Sequence, residues 1–345
     1  MSFQDIRALW YRMWFQPQSP APLCLFRILL GLLLILSSLL WLPDLQTWFG
    51  YDGIVSVQTM EQFEASNRFS ILFWLPPDNA WVSKLYVIMM IAAVTFTLGL
   101  RANFSALILF LCVTSFHHRN LLIFNSGHTL MRVCLFLMMF GPIGKMYSID
   151  SWFANWHRPR FAEREAERDA LTEGEELEPR TIDVAQPLPP ILCRPWTQNL
   201  LRFQIALVYA QSTLAKMDGE TWWNGTAVYY ANRMEDFSKF PIPFIFDRML
   251  GYQIATWATL AIEIALWTLI WVKELRYYVL VLGVLLHLGI DWTMNLPIFE
   301  HLMIASYVLF LKPEDVECFV NSIKYTFAKV LSFRRYNQHQ TLSSN

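Results

Sequence analysis

Long apolar stretches alternate with short polar breaks along most of this chain. Runs of roughly 18 residues or more reach bilayer-spanning length. Runs that approach or exceed this length fall near 22–42, 81–100, 102–116, 127–144, 197–215, 250–272, 277–294 and 297–311, the last two short enough to be one broken element. Because backbone polar groups must be satisfied internally within a bilayer, this predicts an all-α, polytopic membrane bundle of about eight transmembrane helices.

The two ends carry a different pattern. Within residues 1–20, Phe3, Ile6, Leu9, Trp10 and Met13 share one helical face, with Arg7 and Arg12 opposite. That suits an interfacial helix lying on a membrane. Near the other end, Val316, Phe319, Val320, Ile323, Phe327 and Val330 line one side of a segment over 313–335, with Pro313 fitting its first turn. The expected organisation is an interfacial amphipathic helix over 1–20, a transmembrane domain over 21–311 with a charged insert at 145–196, and an amphipathic tail over 312–345.

Composition agrees with a membrane protein: 55% of residues are hydrophobic and only 16% charged, against about 25% charged in soluble domains. A net charge of −1 implies no general attraction to nucleic acid. The five cysteines form no CxxC pair, so neither a disulfide framework nor a zinc site is indicated. Lysine and arginine are concentrated in one set of loops: Arg7 and Arg12, Arg101, Lys145 through Arg194, and Lys273 with Arg276. That set is expected to be cytoplasmic. With an even number of spans, both termini then lie inside, and the setting is a bacterial inner membrane. The acidic and basic run from His157 to Asp183 reads as a solvated linker, and docking of a partner is the less favoured reading.

This orientation gathers polar residues in the outer half. Asn125, His128, Lys216, Asp218, His287, Asp291, Glu300 and His301 all fall there, with His117 and His118. His287, Asp291 and Asn295 are spaced four apart and share a helix face; Tyr209, Ser212 and Lys216 share another. Ionisable groups inside a span are functional candidates by default, although they can also serve as packing glue between helices. Lys216, ending a long apolar run, can be a snorkelling anchor. Stripped of water, its amine instead loses a proton more readily and can act as a base. Trp222, Trp223 and Trp292 would supply aromatic walls for a ring-bearing ligand. A metal centre is disfavoured: adjacent His117 and His118 cannot both face one ion from a regular helix, and no metal is expected.

Several short motifs carry a resemblance. They are Phe26-Arg27-Ile28-Leu29-Leu30-Gly31, Tyr51-Asp52-Gly53, Asn125-Ser126-Gly127-His128, Tyr147-Ser148-Ile149-Asp150, Gln204 through Tyr209, Lys216-Met217-Asp218, Trp222-Trp223, Gly225, and His287 followed by Asn295-Leu296-Pro297. Over about residues 21–311 the succession resembles the vitamin K-dependent gamma-carboxylase family, in its bacterial branch with a horizontally transferred transmembrane (HTTM) domain. The resemblance implies that Lys216 is a catalytic base acting on a reduced quinone similar to vitamin K hydroquinone, with O2 and CO2 as co-substrates. Tyr209, His287, Asp291, His128, Asn125 and Asp218 would support the site, and Trp222, Trp223 and Trp292 would hold the cofactor.

Beside a membrane lipid, the expected partner is a secreted peptide or protein substrate. Two other functions stay open: a non-enzymatic maturation or immunity helper for a secreted peptide, and a transporter. The absence of a visible inverted repeat weighs against a secondary transporter.

Overall fold

The computed structural model describes residues 3–62, 68–156, 190–241, 248–326 and 329. Among them the regular structure is helical, apart from two isolated bridges. The principal helices are α1 (Phe3–Trp14), α2 (Ala21–Trp41), α3 (Asn79–Leu98), α4 (Ala102–Arg119), α5 (Ser126–Met138), α6 (Trp196–Met217), α7 (Met249–Thr268), α8 (Arg276–Thr293) and α9 (Phe299–Ser306).

Each of the eight segments expected to span is helical, yet only three are long and apolar enough to cross a membrane on length and composition: Ala21–Phe49, Asn79–Leu98 and Met249–Trp271. Among the described residues, three candidate spans are thus found where about eight were expected. The reasons are local. The window 127–144 stops at Met138, short of Gly141 and Pro142. The window 297–311 yields the short helix Phe299–Ser306 and a 3-10 turn over Tyr307–Phe310. Helix α6 is long, but its first turns bury Thr197, Gln198 and Asn199.

Neighbours in sequence pack as neighbours in space. α3 lies against α4 and α2, and α6 lies against α7. The turn between α3 and α4 needs Gly99, whose φ of 70° favours glycine. Asp150 reaches across to accept from the backbone N–H groups of Arg101 and Ala102, satisfying donors at the start of α4. Arg27, fully buried in α2, donates to the carbonyls of Ile143 (2.6 Å), Tyr147 (2.5 Å) and Thr97 (3.4 Å). A buried charge must be met by hydrogen bonds, and here backbone oxygens meet it.

The amphipathic first helix is observed as α1, with Ile6, Leu9, Trp10 and Tyr11 exposed. Its Trp14 stacks on Phe203 of α6. Beyond α9 a helix runs over 313–326. It buries Val316 and exposes Phe319 and Ile323. The rest of that expected helix lies outside the described residues, apart from a helical residue at 329. Within the insert, residues 157–189 also lie outside them. The described ends of the insert are anchored: Asp150 by its cap on α4, and Cys193 by a two-hydrogen-bond bridge to Gln18.

Candidate functional site

Helix α6 carries the site. Tyr209, Ser212 and Lys216 follow the i, i+3, i+7 spacing that stacks side chains on one face, and all three are hydrogen-bonded in the structure. The Lys216 Nζ donates to Ser212 Oγ at 2.7 Å and to Glu263 Oε1 at 2.5 Å. Ser212 donates in turn to Glu263 Oε2 at 3.3 Å. Glu263 comes from α7 and is only 7% exposed at its side chain, while that of Lys216 is 22% exposed. Just past α6, the turn at Gly219 opens the short helix Glu220–Trp223. This brings the Trp222 ring to 5.2 Å from the Lys216 Nζ, within cation–π reach.

One and a half to two turns back along α6, Tyr209 belongs to a second network. Its hydroxyl lies 2.6 Å from His287 Nε2 and 2.6 Å from the Tyr307 hydroxyl. The other ring nitrogen of His287 meets Glu300 Oε2. A carboxylate only accepts, so His287 Nδ1–H donates to it and Nε2 offers its lone pair. Tyr209 then donates to His287, and Tyr307 donates to Tyr209. All four side chains are nearly buried. Gly283 makes the arrangement possible: a Cβ there would stand 2.4 Å from the Tyr307 hydroxyl. The two networks adjoin, since Glu263 acts electrostatically on both Tyr209 and Tyr307.

A third group sits at the start of α5. Asn125 and His128 form a reciprocal capping box. The His128 ring packs edge-on against His117 at 5.2 Å and against Phe124 at 4.8 Å. Phe299 stands between this group and the second one, close to Gly127 on one side and 6.4 Å from the His287 ring on the other.

Other expected site residues lie apart from these networks. Asp291 pairs with Lys239 at 3.4 Å. Trp292 packs on Phe240 and donates to the Pro241 carbonyl. Asp218 is exposed beyond the end of α6. Trp223 is 60% exposed and donates to the Met217 carbonyl. Of the three tryptophans, Trp222 is the one over the lysine.

Glu263 was missed by the sequence reading. It is the lone acidic or basic residue between Met249 and Val272, which is the signal that marks a functional candidate inside a span. Tyr307 gave no such signal, because a tyrosine near a helix end is ordinary in a membrane protein. Along α6 on another side runs an apolar groove of about 710 Å³. Phe136, Phe203, Gln204, Leu207, Ala210 and Trp271 are among its lining residues.

The arrangement is that of a helical membrane protein holding a lysine–carboxylate pair beside a tyrosine–histidine–glutamate chain. The chain matches the HTTM domain over residues 15–162 and 192–314, and it belongs to the HTTM domain family. Among curated proteins it is similar to "Uncharacterized protein YitO" of Bacillus subtilis (strain 168), with 26% identity over 151 residues. That alignment covers 42% of this chain and 47% of the relative, so the chain spans about half the length of the protein it matches. No solved structure matches it.

Proposed function

We propose that this protein is a membrane enzyme of the gamma-carboxylase type, in which Lys216 is the base and a reduced quinone is the cofactor. The observation that carries the reading is the Lys216–Ser212–Glu263 cluster under Trp222. A carboxylate and an aromatic face both favour the charged form of an amine, so in this reading Lys216 becomes a base only by passing its proton along the Nζ–Glu263 hydrogen bond. Glu263 gives that proton a second place to reside. Trp222 offers a flat surface for a ring.

A reduced quinone bound there would, with O2, supply the oxidative driving force, and CO2 would be the group added to the substrate. Lys216 would take the proton from the ring hydroxyl. Ser212 and Glu263 would hold the Nζ in place. Tyr209, backed by His287 and Glu300, would close the site from below. In this reading the remaining helices complete about eight crossings, both termini are cytoplasmic, and the site faces outward toward a secreted peptide.

The test uses the full chain in lipid nanodiscs with a reduced naphthoquinone, O2 and labelled CO2. Quinone epoxide is the readout. Lys216→Ala is expected to lose at least about 100-fold in rate, the scale of one general base, while remaining folded and inserted. Full epoxide formation by Lys216→Ala sinks the proposal and leaves the lysine as an anchor.

A further inference from the structure

Arg132 lies on α5 six residues past its first residue, Ser126, about 9 Å along the axis at 1.5 Å per residue. Arg132 is half-buried there, and an arginine drawn even partly out of water is costly unless it is paired or working. Among the described residues no carboxylate pairs with Arg132. The ionisable groups that act on this region are themselves basic. Arg68 acts on Arg132, both arginines act on His118, and His118, His128 and Arg132 act on His117.

The guanidinium is nonetheless aimed. His118 Nδ1 stands 2.7 Å from the Phe69 carbonyl, so Nδ1–H donates there and Nε2 accepts from Arg132 Nη1 at 2.5 Å. Arg132 Nη2 donates to Thr129 Oγ1 at 3.2 Å. Three buried polar atoms then remain without a partner across the contact of α4 with α5: Arg132 Nε, His117 Nδ1 and Thr114 Oγ1. His117 is 2% exposed, and Thr114 precedes it by three residues on the same helix face. Buried polar atoms are nearly always satisfied. Unsatisfied ones beside a cation that no described carboxylate meets mark a place for a polar, negatively charged group.

We propose that the α4–α5 interface binds a small planar oxyanion of the carboxylate type, with Arg132 as the fork and His117 and His118 flanking it. The shape follows from the donors. His118 and Thr129 fix the guanidinium plane, and the free Nε–H with its neighbouring Nη edge matches the two oxygens of a carboxylate. An acidic side chain and hydrogencarbonate share that chemistry. The inference stands on these residues and does not rest on the role given to Lys216.

The test is arginine Nε–H NMR on the full chain in zwitterionic nanodiscs, titrated separately with acetate, hydrogencarbonate and inorganic phosphate. One resonance, assigned by its loss in Arg132→Lys, is expected to move downfield and saturate with acetate or hydrogencarbonate. The tighter of the two tells whether a side-chain carboxylate or inorganic carbon is the source. Trp41, whose ring lies 5.8 Å from that of His117, gives a fluorescence readout that works in every variant. By that signal Arg132→Gln is expected to weaken acetate binding at least tenfold, and His118→Asn at least threefold. If Arg132→Gln does not fold, His118→Asn alone decides. The proposal is overturned by the absence of a saturable shift, by phosphate binding as tightly as either planar anion, or by unchanged affinity in the folded variants.

Discussion

Lys216 on α6 and Glu263 on α7 meet at 2.5 Å, with Ser212 hydrogen-bonded to both. The pair joins two neighbouring helices by a contact whose acidic member is almost sealed from solvent. Such a pair is weak evidence for stability as a whole, because desolvation offsets much of its attraction. Removing one member is another matter, since the other charge is then buried alone.

Lys216→Met, which leaves the sealed Glu263 carboxylate alone, should therefore destabilise the protein by about 3 kcal/mol, the lower end of the cost of stranding a buried charge. Lys216→Met combined with Glu263→Gln should recover most of that loss. Unfolding in mild detergent, followed by circular dichroism for the wild type, both single variants and the double, measures it. Additive losses in the double variant would show that the two groups are not coupled.

Gly283→Ala tests the second network. The added methyl would stand 2.4 Å from the Tyr307 hydroxyl and 2.9 Å from the ring carbon that bears it. Tyr307 must move, and its bond to Tyr209 goes with it. Overpacking of this kind costs about 1–3 kcal/mol. Tyr307→Phe removes the clashing oxygen, so Gly283→Ala should cost measurably less in that background. An equal cost in both backgrounds would place the strain elsewhere.

Thiol reactivity checks the described surface. Cys318 is exposed, while Cys193 is half-buried and bridged to Gln18. Burial also pushes the Cys193 thiol up from its ordinary range, leaving less thiolate near neutral pH. Alkylation with iodoacetamide at pH 8, followed by peptide mass spectrometry, should label Cys318 at least about tenfold faster, since the thiolate is the reacting form. Equal rates would mean that the bridge to Gln18 opens readily.

Much of this was legible in the residues. Apolar run length located α2 to α9, the amphipathic pattern located α1, and the spacing of Tyr209, Ser212 and Lys216 gave the working face of α6. What run length could not give was the end of each helix. Gly141 and Pro142 interrupt an apolar run without lowering its apolar content much, so a window of composition runs through them. The i, i+4 rule put Asp291 on one face with His287, but a helix face is broad. The chain that returns at Lys239 captures Asp291 instead. Glu300 and Tyr307 come to His287 only because the chain reverses after α8, at the positive φ of Ile298, and no local pattern announces that reversal.

Arg27 has a consequence for how the molecule opens. Its guanidinium is a single hub that joins three stretches of chain: α2 itself, the end of α3 through the Thr97 carbonyl, and the segment 143–147 through the carbonyls of Ile143 and Tyr147. None of those stretches can drift far from the hub while the other two stay fixed. The far end of the bundle from Lys216 should thus loosen as one cooperative unit rather than strand by strand. Arg27→Met should raise amide hydrogen exchange at the ends of α3 and around 143–150 by the same factor, with little change around Lys216.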